Sequence, residues 1–70
     1  MTDIERKVYR IVWNINLTQQ RYTKYNELLR KTGRDEKGLN LVLQSLVEQE
    51  IIWWDKKKTR DVALRKERVL

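Results

Sequence analysis

Thr23-Lys24-Tyr25-Asn26-Glu27-Leu28-Leu29-Arg30-Lys31-Thr32-Gly33, then Arg34-Asp35-Glu36-Lys37-Gly38 and the series Leu39, Val42, Leu43, Leu46, Val47, decide the fold. Thr23 reads as the N-cap of a helix, with Glu27 in its first turn and Leu28 and Leu29 as buried positions. Thr32-Gly33 ends that helix, because Gly accepts the left-handed conformation of a C′ position. Asp35 then caps another helix, whose apolar residues recur at i, i+3, i+4, i+7 and i+8. Gly38 inside its first turn costs about 1 kcal/mol relative to Ala, so a close approach to its backbone is expected. The two helices are placed at about 24–31 and 36–49.

Working outward, Thr2-Asp3-Ile4-Glu5 is a Thr-x-x-Glu capping box. Ile4, Val8, Ile11, Val12 and Ile15 follow at helical spacing, which predicts a first helix over about 3–16. Leu17 to Arg21 is a polar connector, and Tyr22 falls in a very short strand. After Glu50 the period changes. Ile51-Ile52-Trp53-Trp54 is β-branched and aromatic, Asp55 to Thr59 is a polar loop, and Val62 and Leu64 alternate on one face. A β-hairpin over about 51–65 is expected, with 66–70 a tail that frays or pairs with another chain. The fold class is mainly α with a small antiparallel β-hairpin, in one domain over 1–70.

The chain has 70 residues, no Cys and no His. A domain this short buries only about 60% of its unfolded surface. Disulfides are excluded, and a structural zinc would have to rest on carboxylates alone. Stability must come from tight packing or from a second chain, so a homodimer is expected. Apolar runs fall far below the roughly 20 residues that cross a bilayer. Acids near the start replace the basic region of a signal peptide, so no membrane partner and a cytoplasmic location are expected.

The net charge is +6, which favours polyanionic partners. Its distribution is uneven: residues 1–34 carry +5, residues 35–54 carry −3 and residues 55–70 carry +4.

The order helix, short strand, helix, tight turn, helix, hairpin resembles the winged helix-turn-helix. The segment from Thr23 to Gly33, with Arg34 to Ile52 after it, is similar to small bacterial and archaeal regulators of the MarR and ArsR type. Leu39, Val42, Leu43 and Leu46 match the core positions of that family, and the hairpin corresponds to its wing. The resemblance implies a DNA-binding transcriptional regulator of the nucleoid, working as a homodimer on double-stranded DNA. One departure stands out. The third helix opens Asp35-Glu36, which suits a positive helix N-terminus but would be repelled by phosphates.

Lys56, Lys57, Lys58 and Arg60 at the hairpin tip are candidates for phosphate contact, through release of counterions. Lys37, Asn40, Leu41, Gln44 and Ser45 lie off the apolar stripe of the third helix. Asn and Gln can pair with adenine there, and Leu can touch a thymine methyl; an ordinary exposed helix face is the plainer alternative. The resemblance adds Thr23, Lys24 and Tyr25 as a phosphate-binding helix start. Trp53 and Trp54 must point to opposite faces of a strand, one into the core and one outward. Trp53, with Tyr9 and Trp13 on the first helix, is the candidate protein interface.

No catalytic arrangement is evident. Without His or Cys the commonest general base and the best thiol nucleophile are missing. No cofactor, metal or small-molecule ligand is implied, and the chain is not expected to be an enzyme. The main alternative is a winged helix used for protein contact within a larger assembly, for which the acidic third helix, Leu41 and the paired Trp residues speak. RNA binding on the same fold is a further alternative.

Overall fold

A computed structural model describes residues 2–65, and the tail expected over 66–70 lies outside them. Helix α1 spans Asp3–Thr18, α2 Tyr25–Thr32 and α3 Glu36–Glu48, followed by strands β1, Ile52–Trp54, and β2, Val62–Leu64. The expected class, mainly α with a small antiparallel hairpin, is the one observed. The topology is consistent with the winged helix-turn-helix superfamily.

The capping box forms as the spacing requires. Thr2 N–H donates to Glu5 Oε1 at 2.8 Å, and Glu5 N–H to Thr2 Oγ1 at 3.3 Å. Val8, Val12 and Ile15 are buried along α1. The helix runs past Asn16 to Thr18, because neither Leu17 nor Thr18 breaks it. Gln20, at φ 53°, then turns the chain.

Thr23 does not cap α2. Its backbone pairs with Val62 in both directions at 2.9 Å, an isolated antiparallel bridge that adds a rung to β2. Its side chain is fully buried, with its hydroxyl accepting from Asn16 Nδ2 at 3.2 Å. A β-branched residue suits this extended, covered position, and the bridge lies one residue beyond the strand expected at Tyr22. The cap position falls to Lys24, whose N–H donates to Glu27 Oε1 at 3.4 Å.

Gly33 closes α2 at φ 70°, donating to the Leu29 carbonyl at 3.1 Å. Asp35 caps α3 by accepting from Gly38 N–H at 2.8 Å. The close approach expected at Gly38 is this cap: a Cβ there would sit 3.1 Å from Asp35 Oδ1.

Leu39, Leu43 and Leu46 on α3 meet Val8 and Val12 on α1, Tyr25 and Leu28 on α2, and Ile52 and Val62 from the hairpin. All of these are fully buried except Tyr25, at 3% exposure. In the hairpin, Ile52 faces Leu64, Trp53 faces Ala63 and Trp54 faces Val62. Alternation turns Ile52 and Trp54 inward and Trp53 outward.

Two polar ties lock the helices and hairpin together. Asn16 Nδ2 donates to the Arg21 carbonyl at 3.0 Å and to Thr23, while its Oδ1 accepts from Leu64 N–H at 3.0 Å. Ser45 Oγ on α3 donates to Glu5 Oε2 on α1, where Gln49 Nε2 also donates at 3.4 Å.

Candidate nucleic-acid interface

The hairpin leaves α3 and folds back beside it, so the outer side of that helix and the base of the wing form one surface. A shallow groove of about 290 Å³ is lined by Lys37, Asn40, Leu41, Gln44, Trp54 and Lys56. Helical spacing explains the first four. They lie opposite the buried stripe, and Leu41 is 68% exposed.

Lys56 joins the groove because it bends back over the wing. Its ammonium donates to Gln44 Oε1 at 3.3 Å and lies 5.5 Å from the centre of the Trp54 ring. The tip is a built turn. Asp55 Oδ1 accepts from Lys58 N–H at 3.4 Å, and its Oδ2 from the Thr59 hydroxyl at 3.2 Å. Lys57 and Lys58 are exposed on that turn.

Five expected contacts lie elsewhere or are otherwise engaged. Thr23 and Tyr25 are buried, which takes their hydroxyls out of the expected phosphate contact. Thr23 is taken by the bridge to β2. Tyr25 is roofed by the wing: its ring is parallel to that of Trp54 with centroids 6.4 Å apart, and the Arg60 guanidinium lies 4.3 Å from its centre. Burial, helped by the charge of Glu36, pushes its hydroxyl pKa up. Ser45 also leaves the set, because it turns towards Glu5 rather than the groove. Arg60, in a left-handed conformation at φ 62°, spans Tyr25 and Glu36, 4.0 Å from the Glu36 carboxylate. Lys24 is exposed at the start of α2 but is not part of the groove lining.

The acids of α3 are largely committed. Asp35 caps the helix, Glu36 faces Arg60, and Glu48 Oε2 accepts from Gln44 Nε2 at 3.3 Å. Elsewhere, the Ser45 hydroxyl holds the Glu5 carboxyl below its ordinary pKa, and the Arg21 guanidinium does the same for Glu27.

The expected protein interface divides. Trp53 is 47% exposed and Trp13 45%, while Tyr9 is half-buried. The ring partner of Trp53 is Tyr22, with centroids 6.0 Å apart and planes tilted by 43°. Carrying the Thr23–Val62 register one residue back sets Tyr22 beside Ala63. Tyr22 and Trp53 thus flank Ala63 on the outer face of the wing and leave it 8% exposed. Tyr9 and Trp13 make no ring contact with this pair among the described residues.

The tie at Asn16, the Tyr22–Trp53 pair and the roof over Tyr25 leave no signal in the sequence. All three depend on where the hairpin docks, which no local pattern encodes. Among the described residues there is no group of three or more potential metal ligands, and no helix is long and apolar enough to cross a membrane. No family model, curated protein or solved structure matches the chain.

Proposed function

We propose that this chain is a winged-helix protein that binds double-stranded DNA, with α3 in the major groove and the wing lying along the phosphate backbone. One observation carries the reading: the outer side of α3 and the basic wing meet in a single groove, where Lys37, Asn40, Leu41, Gln44 and Lys56 converge. Lys57 and Lys58 extend its positive charge to the tip. The acidic opening of α3 is a smaller obstacle than its charge implies, since Asp35 and Glu36 are held by the cap and by Arg60. A small transcriptional regulator acting as a homodimer is the cellular role this proposal favours.

The test is a salt titration of duplex binding for the wild type and for the variant with Lys56→Ala, Lys57→Ala and Lys58→Ala. Each phosphate contact contributes roughly 0.9 to the slope of log affinity against log salt. The variant should bind all sequences more weakly, with the slope reduced by about 2 to 3. An unchanged affinity and slope would remove the wing from the interface.

A second reading has its own support. Tyr22 and Trp53 expose an aromatic surface on the far side of the wing, and aromatics are enriched at protein contacts. A second copy or a larger partner seated there would leave the α3 groove open.

A further inference from the structure

The groove beside α3 is one-sided in its hydrogen-bonding chemistry. Lys37 and Lys56 bring ammonium groups, which donate and never accept. Gln44 has its carbonyl taken by Lys56 and one amide hydrogen by Glu48, so the hydrogen it keeps is one more donor. Leu41 and the Trp54 ring supply apolar surface. Asn40 is therefore the residue that sets which base edge the groove can read.

A free Asn pairs with adenine by accepting from N6 and donating to N7. Asn40 lacks that freedom. The Tyr25 hydroxyl donates to Asn40 Oδ1, and Tyr25 is packed against Trp54 and Arg60 at 3% exposure. A phenol has one proton to give. Its other acceptor, the Glu36 carbonyl, lies at 3.5 Å, the limit of a hydrogen bond. With the carbonyl held inward, Asn40 turns its two Nδ2 donors to the groove.

We infer that Tyr25 makes this groove a reader of acceptor-only base edges, above all the N7 and O6 of guanine. Adenine is disfavoured, because its N6 amino group sets donor against donor. Thymine, with O4 as acceptor and a methyl group for Leu41, is tolerated. Tyr25 is a positioning residue here: it touches no base and acts by fixing the Asn40 amide. The inference rests on the proposed binding of duplex DNA, and names the base chemistry that the same groove selects.

The experiment compares short duplexes of matched length by fluorescence anisotropy at low salt. One is guanine-rich, a second has its G·C pairs replaced by A·T, and two more replace guanine by 7-deazaguanine or by inosine. The wild type should bind the guanine duplex about tenfold tighter than the A·T duplex. That advantage should vanish with 7-deazaguanine, which lacks the N7 acceptor, and survive with inosine, which keeps both N7 and O6. Tyr25→Phe should bring guanine and A·T duplexes to within about threefold of each other while both still bind, since the amide can then rotate. A wild type that binds guanine and 7-deazaguanine duplexes alike overturns the inference while leaving DNA binding intact. So does a folded Tyr25→Phe protein with its guanine preference undiminished. If that variant fails to fold, the base analogues on the wild type still decide. Failure to bind any duplex at low salt overturns the DNA-binding reading itself, and the inference with it.

Discussion

Replacing Asn16 by Ala should weaken the whole fold, because one half-buried amide ties α1, the connector and β2. Three hydrogen bonds go at once: to the Arg21 carbonyl, to the Thr23 hydroxyl and from Leu64 N–H, at 3.0, 3.2 and 3.0 Å. At about 1 kcal/mol net for each bond, the loss is roughly 3 kcal/mol. Thr23 is fully buried, so water cannot replace the amide there without opening the packing. A chain of 70 residues commands in total roughly 4–10 kcal/mol, so a third or more of its stability is at stake. The melting midpoint should fall by roughly 12–24 °C. Tryptophan fluorescence during urea unfolding measures the change directly, because Trp53 and Trp54 sit on β1, which pairs with the strand that Asn16 helps to dock. Asn16→Asp keeps an acceptor for Leu64 but presents oxygen to the Arg21 carbonyl, and should recover less than half of the loss. An Asn16→Ala protein within about 0.5 kcal/mol of the wild type would refute the assignment of this residue as the tie between helix and wing.

Gly33→Ala should destabilise by about 1–2 kcal/mol, read as a lower urea midpoint. The cause is its φ of 70° alone, since an added Cβ meets no atom within 4 Å. The lowered pKa values of Glu5 and Glu27 make stability depend on pH with a definite sign. Their contribution is complete above the ordinary carboxylate value of 4.5 and is lost as pH falls through that value towards the folded pKa. Urea midpoints should hold steady from neutral pH down to about 5 and then decline. The protein carrying Glu5→Gln and Glu27→Gln should be less stable at neutral pH and show a shallower decline; an equally steep one would assign acid sensitivity to other groups.

The parts of the fold legible in the sequence are those set by neighbours along the chain. Gly33 and Asp35 announce a helix end and a helix start, and Leu39, Leu43 and Leu46 lie buried where their spacing puts them. Thr23 shows the limit. A Thr before a helix is the signature of a cap, and equally of a buried extended residue. Val62 and Asn16 decide between the two, from distant parts of the chain. Ser45 lies off the apolar stripe and so reads as exposed until α1 brings Glu5 against it. Tyr25 starts a short helix and would be open to solvent but for the wing that covers it with Trp54 and Arg60. Within the site, the groove residues of α3 follow from helical periodicity. The return of Lys56 onto Gln44, and the hold of Tyr25 on Asn40, follow from hairpin docking alone.

The most direct measurement is a map of backbone amide NMR shifts as duplex DNA is added at low salt. Perturbations should gather on Lys37, Asn40, Leu41 and Gln44 of α3 and on Lys56, Lys57 and Lys58 of the wing, and should fade as salt rises. Shifts confined to Tyr22 and Trp53 on the outer face of the wing, or no shifts at all, would contradict DNA binding at the α3 groove.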